Sequence, residues 1–362
     1  LWSETHGGSG DEKAYAVVEL TGGGYAIIGG TNSFGAGNTD MYLIRLDANS
    51  VLLWEKTYGG SGYEYGYDVK ETSDGGFILA GYTYSYGAGE ADVYLVKTDN
   101  VGDIQWTKVI GGSADDIAWS VTEISTGGYA IAGTSNSFGS GEEDIYFVIT
   151  DANGTPIVTK TFGGTSEDHG TYITEVSDGG FVITGYSKSY NNQAEDICLI
   201  KTDANGDEVW TKVYGGSFND RAYAVKESSD NGYIMAGNSQ SFGLTIVPGF
   251  WEQYIIKTSA NGNNNCNSAA AQTSGQDVSS NVTIGGTDGP GGASIIAPTV
   301  EMTVSALSQF LCYETVGIAQ KVSKNANLKI YPNPNSGQFY LLMEMSNKQP
   351  ANINIYDLRG QL

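Results

Sequence analysis

Two columns of carboxylates recur at a fixed interval of 52 residues. One runs Glu12, Glu64, Asp116, Asp168 and Asp220. The other runs Asp40, Asp92, Asp144, Asp196 and Glu252, the last offset by a four-residue insertion in "SFGLTIVPGFWEQY". A Ser-aromatic pair keeps step with them: Ser33-Phe34, Ser85-Tyr86, Ser137-Phe138, Ser189-Tyr190 and Ser241-Phe242. Carboxylates beside an aromatic ring suit carbohydrate recognition. Carboxylates joined by backbone carbonyls suit calcium, and two carboxylates suffice for glycoside hydrolysis. The same acids could instead accept N–H bonds from glycine-rich loops, so that every repeat carries the same brace. The ring would then plug the gap between neighbouring repeats.

Several chemistries find little support. There is no D-x-D-x-D-G loop and no calcium nonapeptide, so calcium stays open without a dedicated motif. His6 and His169 lack partners at metal-ligand spacing and read as solvated side chains. No G-x-S-x-G elbow and no phosphate loop occur, and no cofactor is called for. A hydrolase needs an acid and a nucleophile in distinct environments. Here each repeat carries the same acids, which favours several weak equivalent binding sites acting together over one catalytic centre.

The elements that must position these residues follow from the repeat. Gly-Gly pairs begin at Gly7, Gly59, Gly111, Gly163 and Gly215; Trp2, Trp54, Trp106 and Trp210 share the interval, with Val158 substituting once. A period of this length signals a solenoid, propeller or array. Each unit holds four short runs rich in Val, Ile, Tyr and Trp, as in "YGYDVKE", "GFILAGYT", "DVYLVKTD" and "DIQWTKVI", separated by turn residues. We term these strands a to d. Small residues open strand a (Ala14, Gly66, Ala118, Gly170, Ala222), as crowding near an axis requires. The acidic columns fall where the long loops d–a and b–c emerge. The tight turns "DANG" and "SDGG" lie at the opposite end and read as Asx-turns with a left-handed glycine. A column of Glu19, Glu71, Glu123, Glu175 and Glu227 ends strand a at that end.

Four antiparallel strands in about 50 residues is the arithmetic of a propeller blade. The strand order over residues 2–258 resembles kelch repeats, and the sequences look closer to glycine-rich propeller repeats of secreted bacterial proteins. The fifth unit supplies a, b and c but no Trp strand, while "LWSET" at residues 1–5 is an unmatched d strand. The expectation is an all-β, five-bladed propeller over 1–258, closed by the N-terminal strand pairing with the last strand c. A linker with local strands is expected over 259–325.

With 41 acids against 18 bases, the net charge is −23. Such a surface repels phosphate backbones and anionic lipid, so nucleic acid and membrane surfaces are poor partners. No apolar run is long enough to span a bilayer. No leader opens the chain, and Leu1 reads as a trimmed start. Cys198 reads as a core thiol, and Cys266 with Cys312 as a candidate disulfide of an oxidising compartment.

Residues 326–362 carry the most specific signal. Tyr331-Pro332-Asn333-Pro334, Gly337, Phe339, Tyr356-Asp357 and Gly360 resemble the C-terminal sorting domain of the type IX secretion system of Bacteroidetes. The resemblance implies a partial β-sandwich that serves as an export address, with the secretion machinery as partner and a secreted or cell-surface location. Glycans, or surface proteins, are the expected ligands of the repeat region, and no catalysis is expected.

Overall fold

Every unit alternates apolar runs with glycine-bearing turns, and the computed structural model converts that rhythm into sheets. It describes residues 2–190, 194–242 and 249–264, together with the backbone of seven later strands. A first short strand, β1, spans Glu4–Gly7. Sheet 1 follows as β2 (Glu12–Glu19), β3 (Tyr25–Thr31), β4 (Asp40–Leu46) and β5 (Leu52–Gly59). Sheet 2 is β6 (Glu64–Glu71), β7 (Phe77–Thr83), β8 (Asp92–Thr98) and β9 (Ile104–Gly111). Sheet 3 is β10 (Asp116–Glu123), β11 (Tyr129–Ser135), β12 (Asp144–Thr150) and β13 (Pro156–Phe162). Sheet 4 is β14 (Asp168–Glu175), β15 (Phe181–Ser187), β16 (Asp196–Thr202) and β17 (Glu208–Tyr214). Sheet 5 has only β18 (Asp220–Glu227), β19 (Tyr233–Ser239) and β20 (Glu252–Lys257). All pairings within these sheets are antiparallel, in meander order.

Both faces of the middle sheets are buried, which is why the run 93–96 within Asp92–Thr98 is continuously apolar rather than alternating. The cores lie between sheets. One joins Ile28, Met41 and Leu43 of sheet 1 to Leu79, Tyr94 and Val96 of sheet 2, and equivalent cores lie at the next three junctions. The repeated Trp is a junction residue. Trp54 packs on Phe77, Trp106 on Tyr129 and Trp210 on Tyr233, with ring centroids 5.8, 5.7 and 5.8 Å apart. The glutamates ending strand a staple neighbours at the tight-turn end. Glu123 accepts from the Ser73 amide at 2.7 Å and its hydroxyl at 2.8 Å, and Glu175 and Glu227 repeat the contact with Ser125 and Ser177. The expected Asx-turns are present: Asp99 Oδ1 accepts from Val101 N and Asp103 N at 3.0 and 2.9 Å.

The ring does not close as the strand count predicts. β1 pairs antiparallel with β25 (Ala293–Ile296), and among the described strands β20 has only β19 as a neighbour. The physical reason lies with Trp2. Its ring sits 5.9 Å from that of Tyr25, the relation Trp54 has with Phe77, so β1 takes the place of an outer strand ahead of sheet 1, but its ladder partner is β25 rather than β20. The segment expected as a linker also contributes strands. β21 (Ser268–Ala270), β22 (Gln276–Asp277), β23 (Asn281–Thr283) and β24 (Thr287–Pro290) pair with β17, β13, β9 and β5. The chain thus runs back along the outer edges of sheets 4 to 1, occupying edges that would otherwise offer unpaired backbone groups.

The chain divides into two units, Leu1–Leu311 and Cys312–Leu362. Within the second, β26 (Ala326–Pro332) and β27 (Phe339–Met345) form an antiparallel hairpin in which Pro332 faces Phe339. Cys266, Cys312, Asn333, Pro334, Gly337, Tyr356, Asp357 and Gly360 lie outside the described residues, so the candidate disulfide and most of the sorting motif do too. Cys198 is fully buried and free.

Candidate functional site

At each junction the two acidic columns meet where a side chain on the first glycine of the Gly-Gly pair would lie. At Gly111 an added methyl would overlap Asp92 Oδ1 and stand 2.8 Å from Asp116 Oδ2; Gly59, Gly163 and Gly215 repeat this with Asp40/Glu64, Asp144/Asp168 and Asp196/Asp220. The first column grips the following loop. Glu64, Asp116, Asp168 and Asp220 accept from the amides of Gly60, Gly112, Gly164 and Gly216 at 2.8, 2.7, 2.8 and 2.9 Å. The second column accepts from its own b–c loop: Asp92 from Ala88 N at 2.8 Å and Asp144 from Ser140 N at 2.7 Å. Glu64, Asp116, Asp168 and Asp220 are 0% exposed, and Asp40, Asp92, Asp144 and Asp196 are at most 2%. Glu12 is half-buried and Glu252 exposed. Burial pushes the carboxyls of Asp40, Asp92 and Asp144 up to about 7, with further repulsion from Glu64, from Asp116 and Asp115, and from Asp168 respectively.

The Ser-aromatic pairs close over the second glycine. A methyl on Gly112 would meet Ser137 Cβ at 2.6 Å and the Phe138 ring at 3.0 Å, and Ser137 Oγ accepts from Ala114 N at 2.9 Å. Phe34, Tyr86, Phe138, Tyr190 and Phe242 are all partly buried against junction cores. Tyr86 donates its hydroxyl to Gly59 O at 2.9 Å. Most of the acidic residues singled out in the sequence thus accept hydrogen bonds from loop amides, and the aromatics pack beside them.

A different set of side chains faces outward. Each strand a carries a register shift of one residue, leaving Tyr15, Tyr67, Trp119, Thr171 and Tyr223 unpaired in β2, β6, β10, β14 and β18. A β-bulge turns its extra side chain out of the regular alternation. Tyr15 packs on Tyr67 at 4.8 Å, and Tyr67 stacks on Trp119 at 4.2 Å, so the bulged residues form a ladder across three sheets. Sheet 2 widens it. Tyr82 lies 5.6 Å from Tyr65, 5.8 Å from Tyr67 and 5.7 Å from Tyr84, and Tyr84 lies 6.5 Å from Tyr63. Seven rings are contiguous, and Tyr15, Tyr63 and Tyr84 are 45, 47 and 49% exposed. Burial among neighbouring phenols pushes Tyr67 up to about 12 and raises Tyr82 as well. Beside it lies a polar cleft of about 50 Å³ lined by Asp11, Lys13, Gly30, Asn32, Thr39 and Tyr65.

The same columns differ in sheets 4 and 5. His169 stacks on Tyr186 at 4.5 Å and meets Glu143 at 2.6 Å, so it is not a solvated side chain. His6, too, is 7% exposed and lies 3.3 Å from Glu4. Arg221 reaches Glu195 at 2.5 and 2.9 Å and lies over the rings of Tyr186 and Trp251. The outward face is therefore aromatic at one end and ion-paired at the other. The sequence reading looked for what repeats; the signal it passed over was the set of positions that do not. Among the described residues, no group of three or more metal-ligating side chains occurs, and no helix is long and apolar enough to cross a membrane.

Comparison with known proteins adds two findings. The chain is 24% identical over 285 residues to "Regulatory protein FlaEY" of Caulobacter vibrioides, covering 69% of this chain and 30% of that protein. The chain thus spans less than a third of this curated relative. Residues 329–362 match the secretion system C-terminal sorting domain, and this tail indicates export through type IX secretion, with the secretion machinery as partner.

Proposed function

We propose that this chain is a non-catalytic binding protein, exported to the cell surface or beyond, that holds glycans on the aromatic surface of sheets 1 to 3. The observation that carries the reading is the contiguous group of seven rings, three of them about half exposed, next to a polar cleft. Aromatic faces offer large apolar area at low conformational cost, and tyrosine adds a hydroxyl for orientation. A few convergent polar groups beside such a surface are the usual make-up of a ligand site. The facing carboxylates from neighbouring sheets are sealed beneath loop backbone. That arrangement weighs against a hydrolase, whose two carboxyls must reach a scissile bond.

The test is a glycan array probed with the full chain and with Tyr84→Ala and Tyr63→Ala variants. Binding that both variants weaken supports the reading. If no glycan is retained by a chain that melts normally, an interaction scaffold takes its place.

A further inference from the structure

We infer that the cleft at Lys13 receives the carboxylate of an acidic sugar, so that the preferred glycan carries uronic acid residues; this rests on the glycan reading above. The argument comes from what the fold does with the same position elsewhere. Lys13 corresponds to His169 in sheet 4 and Arg221 in sheet 5, with Tyr65 and Ile117 at the same position of the repeats between. The His169 and Arg221 side chains each hold a glutamate contributed by the preceding sheet, Glu143 at 2.6 Å and Glu195 at 2.5 Å. Both are also covered by the ring of Tyr186.

At Lys13 each of these partners is missing among the described residues. No carboxylate pairs with its ammonium, and what precedes sheet 1 is the strand β1, paired with β25, rather than a four-stranded sheet that supplies such a glutamate. The position of Tyr186 is taken in sheet 1 by Gly30, and the ring of Tyr65 lies against it, where a methyl would come within 2.6 Å. Removing that side chain leaves the cleft, with Lys13 on one wall and Tyr65 on another. The unfilled place beside Lys13 thus has the chemistry of the glutamate that fills it twice elsewhere: an anionic carboxylate held near an aromatic ring. A sugar stacked on the tyrosines with its carboxylate toward Lys13 satisfies both. Asp11 and Asn32 on the rim accept and donate to ring hydroxyls. The chain's overall negative charge makes a single cation at this place selective, because nearby acids disfavour any anion that fails to reach it.

The experiment compares an oligogalacturonate with the same oligosaccharide after reduction of its carboxyls to hydroxymethyl groups, by calorimetry on the full chain. A charge-assisted hydrogen bond predicts about tenfold tighter binding of the acidic form, shrinking as salt rises. Lys13→Gln should erase that preference, while Tyr84→Ala should weaken both sugars and leave their ratio in place. Equal affinity of the parent chain for the two sugars overturns the inference, as does a preference that survives in Lys13→Gln. Failure of both sugars to bind also overturns the inference, while the glycan reading itself stands or falls with the array.

Discussion

Asp92 of sheet 2 and Asp116 of sheet 3 converge on the place a Gly111 side chain would occupy, with Asp116 holding the amide of the next residue, Gly112, at 2.7 Å. The contact explains a glycine that needs no unusual backbone angle. Gly111 is required because two carboxylates occupy the space a side chain would take. Gly111→Ala must therefore push a buried acid aside. We expect a loss of at least about 2 kcal/mol, in the range of overpacked cores. Gly75→Ala offers a control: open space surrounds Gly75 and only its φ of 81° opposes the change, so about 1 kcal/mol is expected. Denaturant unfolding of the two variants separates the causes.

The buried second-column acids give stability a pH dependence of defined sign. An aspartate in the unfolded chain releases its proton near 3.9, whereas Asp40, Asp92 and Asp144 hold theirs to about 7 in the folded protein. The stability they contribute is complete below pH 4 and is lost as the pH rises to about 7. Asp74 opposes this: burial is outweighed by hydrogen bonds from Thr72, Lys97 and the Gly76 amide, which hold its carboxyl at about 2, so its contribution is lost as pH falls from 4. Asp92→Asn should raise Tm at pH 8 and flatten the fall between pH 5 and 8. A variant as steep as the parent would show that Asp92 is not the titrating group.

The tryptophans should differ by position although their sequence context repeats. Trp106 is packed between the rings and backbone of two sheets, with Tyr129 at 5.7 Å and Gly154 beneath it. Trp106→Ala should cost about 3 kcal/mol. Trp2 is 46% exposed, so Trp2→Ala should cost about 1 kcal/mol. Equal losses in thermal melts would mean that β1 is buried against more than Tyr25.

Glu123→Ala removes two hydrogen bonds to Ser73 at an exposed turn. About 1 kcal/mol is expected, together with faster amide exchange at Ser73, whose donor loses its acceptor. Unchanged exchange would show the staple to be idle in solution.

The 52-residue interval made the five sheets, their strand order and the missing fourth strand of sheet 5 legible, because apolar alternation and turn chemistry are local. Closure was not local. "LWSET" looks the same whether its ladder partner is β20 or β25, and only the three-dimensional pairing distinguishes them. The return strands were hidden for another reason. Segments such as "SAA" and "QD" have no strand character of their own and are drawn into pairing by open edges. The acidic columns were visible as positions, but whether a carboxylate faces water or a glycine depends on the neighbouring sheet. The aromatic surface escaped because it is concentrated in one repeat: Tyr63, Tyr65, Tyr67, Tyr82 and Tyr84 all come from sheet 2 and its adjoining loops, and at the places of Tyr63, Tyr65 and Tyr84 none of the other repeats has a tyrosine.

The register shift at the same place in every strand a has a consequence for how such a protein can change. Tyr15, Tyr67, Trp119, Thr171 and Tyr223 take no part in the ladder that holds their sheets together. Tyr15 and Tyr223, both about half exposed, ask little of the framework, whereas Thr171 donates to the carbonyls of Thr184 and Ala222 and Tyr67 stacks on Trp119. Writable letters outside the ladder allow a repeated segment to acquire new tastes while its architecture stays put.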